Sequence, residues 1–173
     1  MKFKKFFYKK INSTNDIAIK KIEKKIKAGI IISEEQKKGR GRHGNKWISL
    51  KGNLFTTIFF KINNKIPLNI ISKINCRILK KVLTLEVGNK VDIKEPNDLY
   101  INKKKICGIL QEIKFINEDK YIIIGIGINL VKNPIIKNYP VSNILYETGK
   151  KISIPKLLKL IEKNYKIKLK QFA

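Results

Sequence analysis

Apolar residues change their spacing several times along the chain, and each change marks an element. Residues 3–8 predict a short opening strand, and Asn12, Ser13, Thr14 and Asn15 then supply N-cap chemistry for a helix over 16–27. That helix carries Ile17, Ile19, Ile22 and Ile26 as its apolar stripe, with Gly29 as the stop. A strand over 30–33 follows. Residues 54–62, rich in β-branched and aromatic side chains, predict a buried strand, and 70–85 a second helix. The strand over 91–94 must stop at Pro96, which restricts the residue before it and donates no ladder hydrogen bond. Residues 99–101, 105–113 and 121–128 read as strands joined by tight polar turns, among them Asn117-Glu118-Asp119. A terminal amphipathic helix over 154–170 sets Ile154, Leu157, Leu158, Ile161 and Tyr165 on one side and lysines elsewhere. With no internal repeat and no linker, the pattern predicts one α+β domain over 1–173, built on a mixed sheet.

Composition narrows the function. At 173 residues the chain can hide roughly 70% of the surface its unfolded form would expose. Its 43% hydrophobic content beside 30% charged excludes a disordered tail. The formal charge of +26 would ordinarily point to nucleic acid or an anionic membrane. Yet only Arg40, Arg42 and Arg77 among the 39 basic residues are arginine, and the chain is equally crowded with Ile and Asn. Such a bias is what an AT-rich genome writes onto any surface, so the lysines read as solvated faces and no nucleic-acid partner is expected. Cys76 and Cys107 are too few for a disulfide framework and lack the spacing of a zinc site, so no metal cage is expected and a reducing cytoplasm fits. Residues 1–10 lack the apolar run of a signal peptide, and the longest apolar stretch, 121–131, is broken by Asn129 and falls short of the ~18 to 20 residues of a membrane span.

The most unusual segment runs from Gln36 to Trp47, with three glycines, two of the three arginines and the only tryptophan. Glycine lets backbone approach a ligand closely, and the guanidinium fork holds carboxylate or phosphate at defined angles where lysine offers a mobile point charge. The segment suits phosphate handling. Read locally, it also suits a flexible surface loop, and Trp47 suits either a core anchor or a plate stacked on an adenine. His43 is the only histidine and lies in this loop, which leaves a Ser-His-Asp triad without a fixed base.

Gly39-Arg40-Gly41-Arg42-His43-Gly44-Asn45-Lys46-Trp47 resembles the GRGRxGxxW signature of biotin–protein ligases. Four further segments match that family's motifs in order: Ser13-Thr14-Asn15, Pro96-Asn97-Asp98, Lys105-Ile106-Cys107-Gly108-Ile109-Leu110 and Gly125-Ile126-Gly127-Ile128-Asn129. The resemblance implies the biotin–lipoate ligase catalytic fold, similar to class II aminoacyl-tRNA synthetases, with helices packed on one side of the sheet. It also implies that biotin is activated by ATP and Mg2+ to biotinyl-5′-AMP and passed to a lysine of a biotin carboxyl carrier protein, that of acetyl-CoA carboxylase or a related carboxylase.

The resemblance assigns roles residue by residue. Arg40 would sit where the biotin carboxylate meets the α-phosphate, with Arg42 and Lys46 in a loop closing over the adenylate. Lys105 would be the catalytic cation reaching both reacting groups, and Asp98 would orient Lys105 or assist magnesium. Ser13, Thr14, Asn15 and Gln36 would face the ureido ring of biotin, while Gly108, beside Ile109, would let that ring lie against the strand. Asn97 and Asn129 would bind nucleotide near Gly125, Gly127 and Trp47. Lys105 also has a plain reading as one of three adjacent lysines protecting a strand edge. An exposed edge is equally open to pairing with a second copy, giving a homodimer.

Two departures stand out. Glu95 precedes Pro96 where the family usually has tryptophan, and Asn45 replaces a frequent basic residue. The family's small C-terminal β-barrel and an N-terminal DNA-binding module are expected to be absent. Rival readings are a lipoate or octanoate ligase or transferase of the same fold, a degenerate inactive ligase, and a nucleic-acid-binding protein resting on charge alone.

Overall fold

A computed structural model describes residues 2–62, 67–88 and 90–169. Its elements run β1 (Lys4–Ile11), α1 (Thr14–Glu23), β2 (Ala28–Gln36), β3 (Leu54–Lys61), α2 (Leu68–Val87), β4 (Asp92–Lys94), β5 (Asp98–Ile101), β6 (Lys104–Ile116), β7 (Asp119–Ile128), α3 (Ile144–Thr148) and α4 (Ile154–Leu169). The strands form one seven-stranded sheet in the order β1-β2-β3-β7-β6-β5-β4. The β1–β2 pair is parallel and the other pairs are antiparallel, which makes the sheet mixed as the pattern predicts.

Helices cover both faces of this sheet, which corrects the one-sided packing expected. On one face Ile30, Ile58, Ile122 and Ile124 join a core with Leu79 and Leu83 of α2 and Leu157, Ile161 and Tyr165 of α4. On the other, Ile31, Phe59, Tyr121 and Ile123 meet Ala18 and Ile22 of α1. The cause is in the sequence: β2, β3 and β7 are apolar at both parities, so each face needs a lid. A fully buried Leu such as Leu79 contributes about 1.5–3 kcal/mol relative to leaving it exposed. A polar tie joins the helices to the sheet, since Tyr165 Oη donates to Asn75 Oδ1 (3.1 Å) and Asn75 Nδ2 to Gln111 Oε1 (2.7 Å).

Element ends differ from expectation in two places. Helix α1 stops at Glu23, before the predicted end, because Lys24 caps it and Lys25 turns left-handed with φ 59°. Gly29 instead lies within β2, where a Cβ would meet the Phe59 ring at 2.7 Å. Helix α3, absent from the expected elements, is only five residues long, capped by Asn143 and ended by Gly149 at φ 69°. The last expected residue of the terminal helix, 170, lies outside the described residues.

Candidate functional site

The site is built on the α1 face of the sheet, where that face changes composition. Tyr121 and Ile123 lie under α1, but the next two positions of the same parity on β7 are Gly125 and Gly127. Their partner on β6 is also glycine at one point, since Gly108 pairs with Gly127. The strands lose their side chains there, Asn15 lies over Gly125 and Trp47 over Gly108 and Gly127, and together they floor a cleft of about 310 Å³ walled by the N-terminus of α1, the 39–47 loop and the segment before β5.

One end of the cleft is neutral and rich in hydrogen-bonding groups. Ser13 caps α1 by accepting from Asp16 N (3.5 Å), so it serves capping and cleft lining together. Thr14 donates from its backbone N (2.8 Å) and Oγ1 (3.0 Å) to Gln36 Oε1, and Gln36 Nε2 donates to Ser49 Oγ (3.1 Å). Below them Thr57 of β3, fully buried, lies 2.8 Å from Thr14 Oγ1 and donates to Asn15 Oδ1 (2.6 Å). Asn15 Nδ2 donates to Glu112 Oε2 (2.5 Å), which fixes which way the amide faces.

The other end is cationic, and a β-bulge places its chief residue. In a regular strand residues three apart face opposite sides, so Lys105 and Gly108 should not share a face. Here Leu99 pairs with Cys107 and Tyr100 with Lys105, leaving Ile106 as the extra residue. Ile106 and Cys107 consequently both enter the far core, and Lys105 turns into the cleft beside Gly108. Its Nζ lies 2.8 Å from Asp98 Oδ2, and 5.7 Å and 5.3 Å from the ring centroids of Trp47 and Tyr139. Asp98 Oδ1 is buried without a hydrogen-bond partner.

The glycine-rich loop is held in a defined shape. Trp47 N donates to Gly39 O (2.9 Å), Gly41 N to Asn45 O (2.7 Å), and His43 and Gly44 supply two left-handed residues at φ 55° and 76° for the turn. Arg40 forks onto Asp16 and Glu112, with Nη2 3.0 Å from both Glu112 oxygens. Burial works against its charge, but the bonds to Asp16 and Glu112 outweigh that and hold the guanidinium more firmly protonated than usual. Arg42 Nη1 reaches across the cleft to Asn97 Oδ1 (3.1 Å), while Asn97 Nδ2 donates to Ile109 O (2.9 Å).

Most residues singled out from the sequence converge on this cleft, with three adjustments. The space directly over Gly108 and Gly127 is filled by the Trp47 indole, and a Cβ on Gly108 would come within 2.6 Å of it. The bare strand therefore seats the tryptophan in this conformation, rather than lying open as expected. Ile109 offers only backbone to the cleft, its side chain being in the far core. Gly39 and Asn129 lie outside the main cleft. Gly39 closes the loop behind Trp47, and Asn129 lines a small adjoining recess with Trp47, Lys105 and Tyr139. Asn129 Nδ2 donates to Ser142 O (3.1 Å), and its buried Oδ1 has no hydrogen-bond partner. Glu95 is exposed at the cleft mouth, so the departure from the usual aromatic buries no charge.

Residues 7–129 match the family model described as Biotin/lipoate A/B protein ligase family. The chain belongs to that family. A bifunctional ligase/repressor BirA of Escherichia coli K12 is 36% identical over 126 residues, covering 69% of this chain and 38% of that protein. The biotin–[acetyl-CoA-carboxylase] ligase of Paracoccus denitrificans is 30% identical over 127 residues, covering 71% of this chain and 53% of its own length. This ligase-family chain thus spans about half or less of these curated relatives. Among solved structures, the biotin protein ligase of Aquifex aeolicus in complex with biotin and ATP superposes with a TM-score of 0.77 at 28% identity, covering 97% of this chain and 72% of that one.

Thr57 and Glu112, which hold Asn15 from behind, and Tyr139, which lines the cleft, were not among the residues expected from the sequence. Thr57 and Glu112 carried a usable signal, as polar residues inside apolar strands, and Glu112 shares strand parity with Gly108. Tyr139 carried none, because it sits in an irregular stretch between β7 and α3.

Proposed function

We propose that this chain is an ATP-dependent biotin–protein ligase, making biotinyl-5′-AMP and passing the biotinyl group to a lysine of a carrier protein. The observation that carries the reading is a single cleft with a neutral amide-recognising end and a cationic end, the latter set by the bulge that turns Lys105 beside Gly108. A ureido ring offers one carbonyl and two N–H groups. Thr14, Gln36 and Asn15 present matching hydroxyl and amide groups, Asn15 held by Thr57 and Glu112 and Gln36 by Thr14 and Ser49. A carboxylate held there by its ring extends toward Lys105.

Two anions must then meet, the biotin carboxylate attacking the ATP α-phosphate as the α–β bond breaks and pyrophosphate leaves, and Lys105 is the cation that screens their repulsion and stabilises the charge developing between them. Asp98 keeps the ammonium in place, which favours orientation over magnesium binding as its main role. Arg42 spans the cleft and holds its loop against Asn97, excluding water from the mixed anhydride. Arg40 acts at one remove: occupied by Asp16 and Glu112, it ties the loop to α1 and β6. In the second step the carrier ε-amine attacks the acyl carbon, the acyl–phosphate bond breaks and AMP leaves with the electron pair.

Among the described residues no three Asp, Glu, His or Cys side chains converge. Magnesium would therefore arrive on the triphosphate with most of its ligands from phosphate and water, and Asp98, whose Oδ1 is buried without a hydrogen-bond partner, would supply the protein carboxylate. No described helix is long and apolar enough to cross a membrane. The cytoplasm suits both the free thiols and the ATP requirement. The carrier is the biotin carboxyl carrier protein of acetyl-CoA carboxylase or a related carboxylase. Biotin-dependent exchange of pyrophosphate into ATP tests the reading, with lipoate and octanoate in parallel. Exchange with biotin alone is expected, whereas exchange with lipoate alone would move the chain to the other branch of its family.

A further inference from the structure

Lys105 still pairs with Tyr100 on β5, but on its other side β7 has ended, its last pair being Ile128 with Cys107, so the Lys105 backbone groups have no strand partner there. Those groups are taken up by the stretch before α3: Lys105 N donates to Pro140 O (3.0 Å), and Ser142 N donates to Lys105 O (2.9 Å). Residues 139–142 thus form a strap running parallel beside Lys105, with Val141 its bridge partner, and the strap carries Tyr139 against the ammonium. Whatever fixes the strap fixes Lys105.

Glu147 of α3 is that fixture. Its side chain is only 4% exposed, and its carboxylate accepts from Ser142 Oγ (2.6 Å), Lys104 Nζ (3.0 Å) and Asn102 Nδ2 (2.8 Å). Ser142 belongs to the strap. Asn102 and Lys104 belong to the β5–β6 hairpin, whose turn residues Asn102 and Lys103 are left-handed at φ 49° and 60°. Glu147 therefore clamps the strap and the hairpin tip together, one residue from Lys105 on either side of the joint. Burial raises the carboxyl's pKa, but the bonds from Ser142, Asn102 and Lys104 overcome this and hold it ionised below the usual range.

We propose that Glu147, acting through Ser142 and the 139–142 strap, is a positioning residue that sets Lys105 for adenylate formation. This rests on the ligase reading, and it assigns to α3 a role in the first chemical step although α3 lies outside the cleft. Glu147→Gln keeps the volume and an acceptor oxygen but removes the charge that gathers three donors. Ser142→Ala removes only the link to the strap.

The test is steady-state biotin-dependent pyrophosphate exchange in wild type, Glu147→Gln and Ser142→Ala, with thermal melts of all three. Because a small misplacement of a transition-state cation is felt mainly in the chemical step, kcat is expected to fall about tenfold or more in both variants. KM for biotin and for ATP should stay within about twofold. Should Glu147→Gln lose its folding transition, Ser142→Ala decides alone by the same criterion. Wild-type kcat in a folded variant, or a rise in KM with kcat kept, overturns the assignment. An inactive wild type would instead sink the ligase reading itself, so the two failures are told apart.

Discussion

Lys105 and Asp98 form a half-buried ion pair whose two members have different duties, and that difference can be measured. Removing Lys105 leaves Asp98 with neither oxygen paired, which costs on the order of 1–3 kcal/mol of stability. Lys105→Ala should therefore lower the melting temperature and also cut biotin adenylation by at least about a hundredfold, as loss of a transition-state cation does. Adding Asp98→Asn to Lys105→Ala removes the orphaned charge. The double variant is expected to regain thermal stability while adenylation stays lost; recovery of both together would reduce Lys105 to a structural partner. Gly108 offers a second residue-scale test, since a Cβ there would lie 2.6 Å from the Trp47 ring. Gly108→Ala should push the indole off its seat, shifting the fluorescence of the chain's only tryptophan to the red and weakening biotin binding in calorimetry. An unshifted spectrum would mean that Trp47 does not rest on the glycines in solution. At this scale the motif residues were legible because their chemistry is local. Tyr139 and Glu147 were not, because they matter only through the bulge at Ile106, and nothing in the order of residues announces a bulge.

Elements were legible wherever one periodicity ran long enough. Strand β3 and helices α2 and α4 declare themselves through apolar runs or stripes, and they occur where expected. The end of α1 was misread because a glycine is the commoner stop, while here Lys25 accepts the left-handed turn and Gly29 is needed for Phe59. The one-sided layering was misread because α1 has only a modest apolar stripe; the demand for a second lid comes from the strands beneath it, not from the helix. The glycine-rich loop is the element with the clearest dynamic role. Its link across the cleft is the Arg42–Asn97 bond, a contact between exposed or half-exposed groups that can open and close readily. Arg42→Gly should leave adenylate formation within a few-fold of wild type but let the mixed anhydride escape, so that lysines on bystander proteins become biotinylated. Avidin blotting of a mixture with serum albumin reads this directly. Bystander labelling no greater than wild type, at matched adenylate production, would separate Arg42 from the closure of the cleft.

At the scale of the whole molecule the charge of +26 returns with a different meaning. Only a few cations line the cleft, whereas the remainder is spread over both helical faces and the strand edges, where it pairs in part with Glu23, Glu34, Glu35, Glu86 and Glu162. Such a field does nothing for the chemistry at Lys105, which is governed by contacts within a few ångströms. It does act on encounter, because a positive surface draws in an acidic macromolecule from beyond contact distance and aligns it before docking. The two steps of the proposed reaction should then answer differently to salt. Raising ionic strength from low to physiological shortens the Debye length from about 30 Å to about 8 Å, so steering of an acidic carrier domain is largely screened. The expected result is a fall of about tenfold in kcat/KM for such a carrier. Turnover at saturating carrier should hardly change, because docking is then complete and salt cannot reach the cleft chemistry. No single Lys→Gln change outside the cleft should reproduce more than a small part of the fall, since the attraction is summed over many distant charges. Stopped-flow transfer from preformed adenylate, measured across a salt series with an acidic carrier and a charge-neutralised one, separates these contributions. A salt response equal for both carriers would show that the surface lysines take no part in finding the partner and are there only to be solvated.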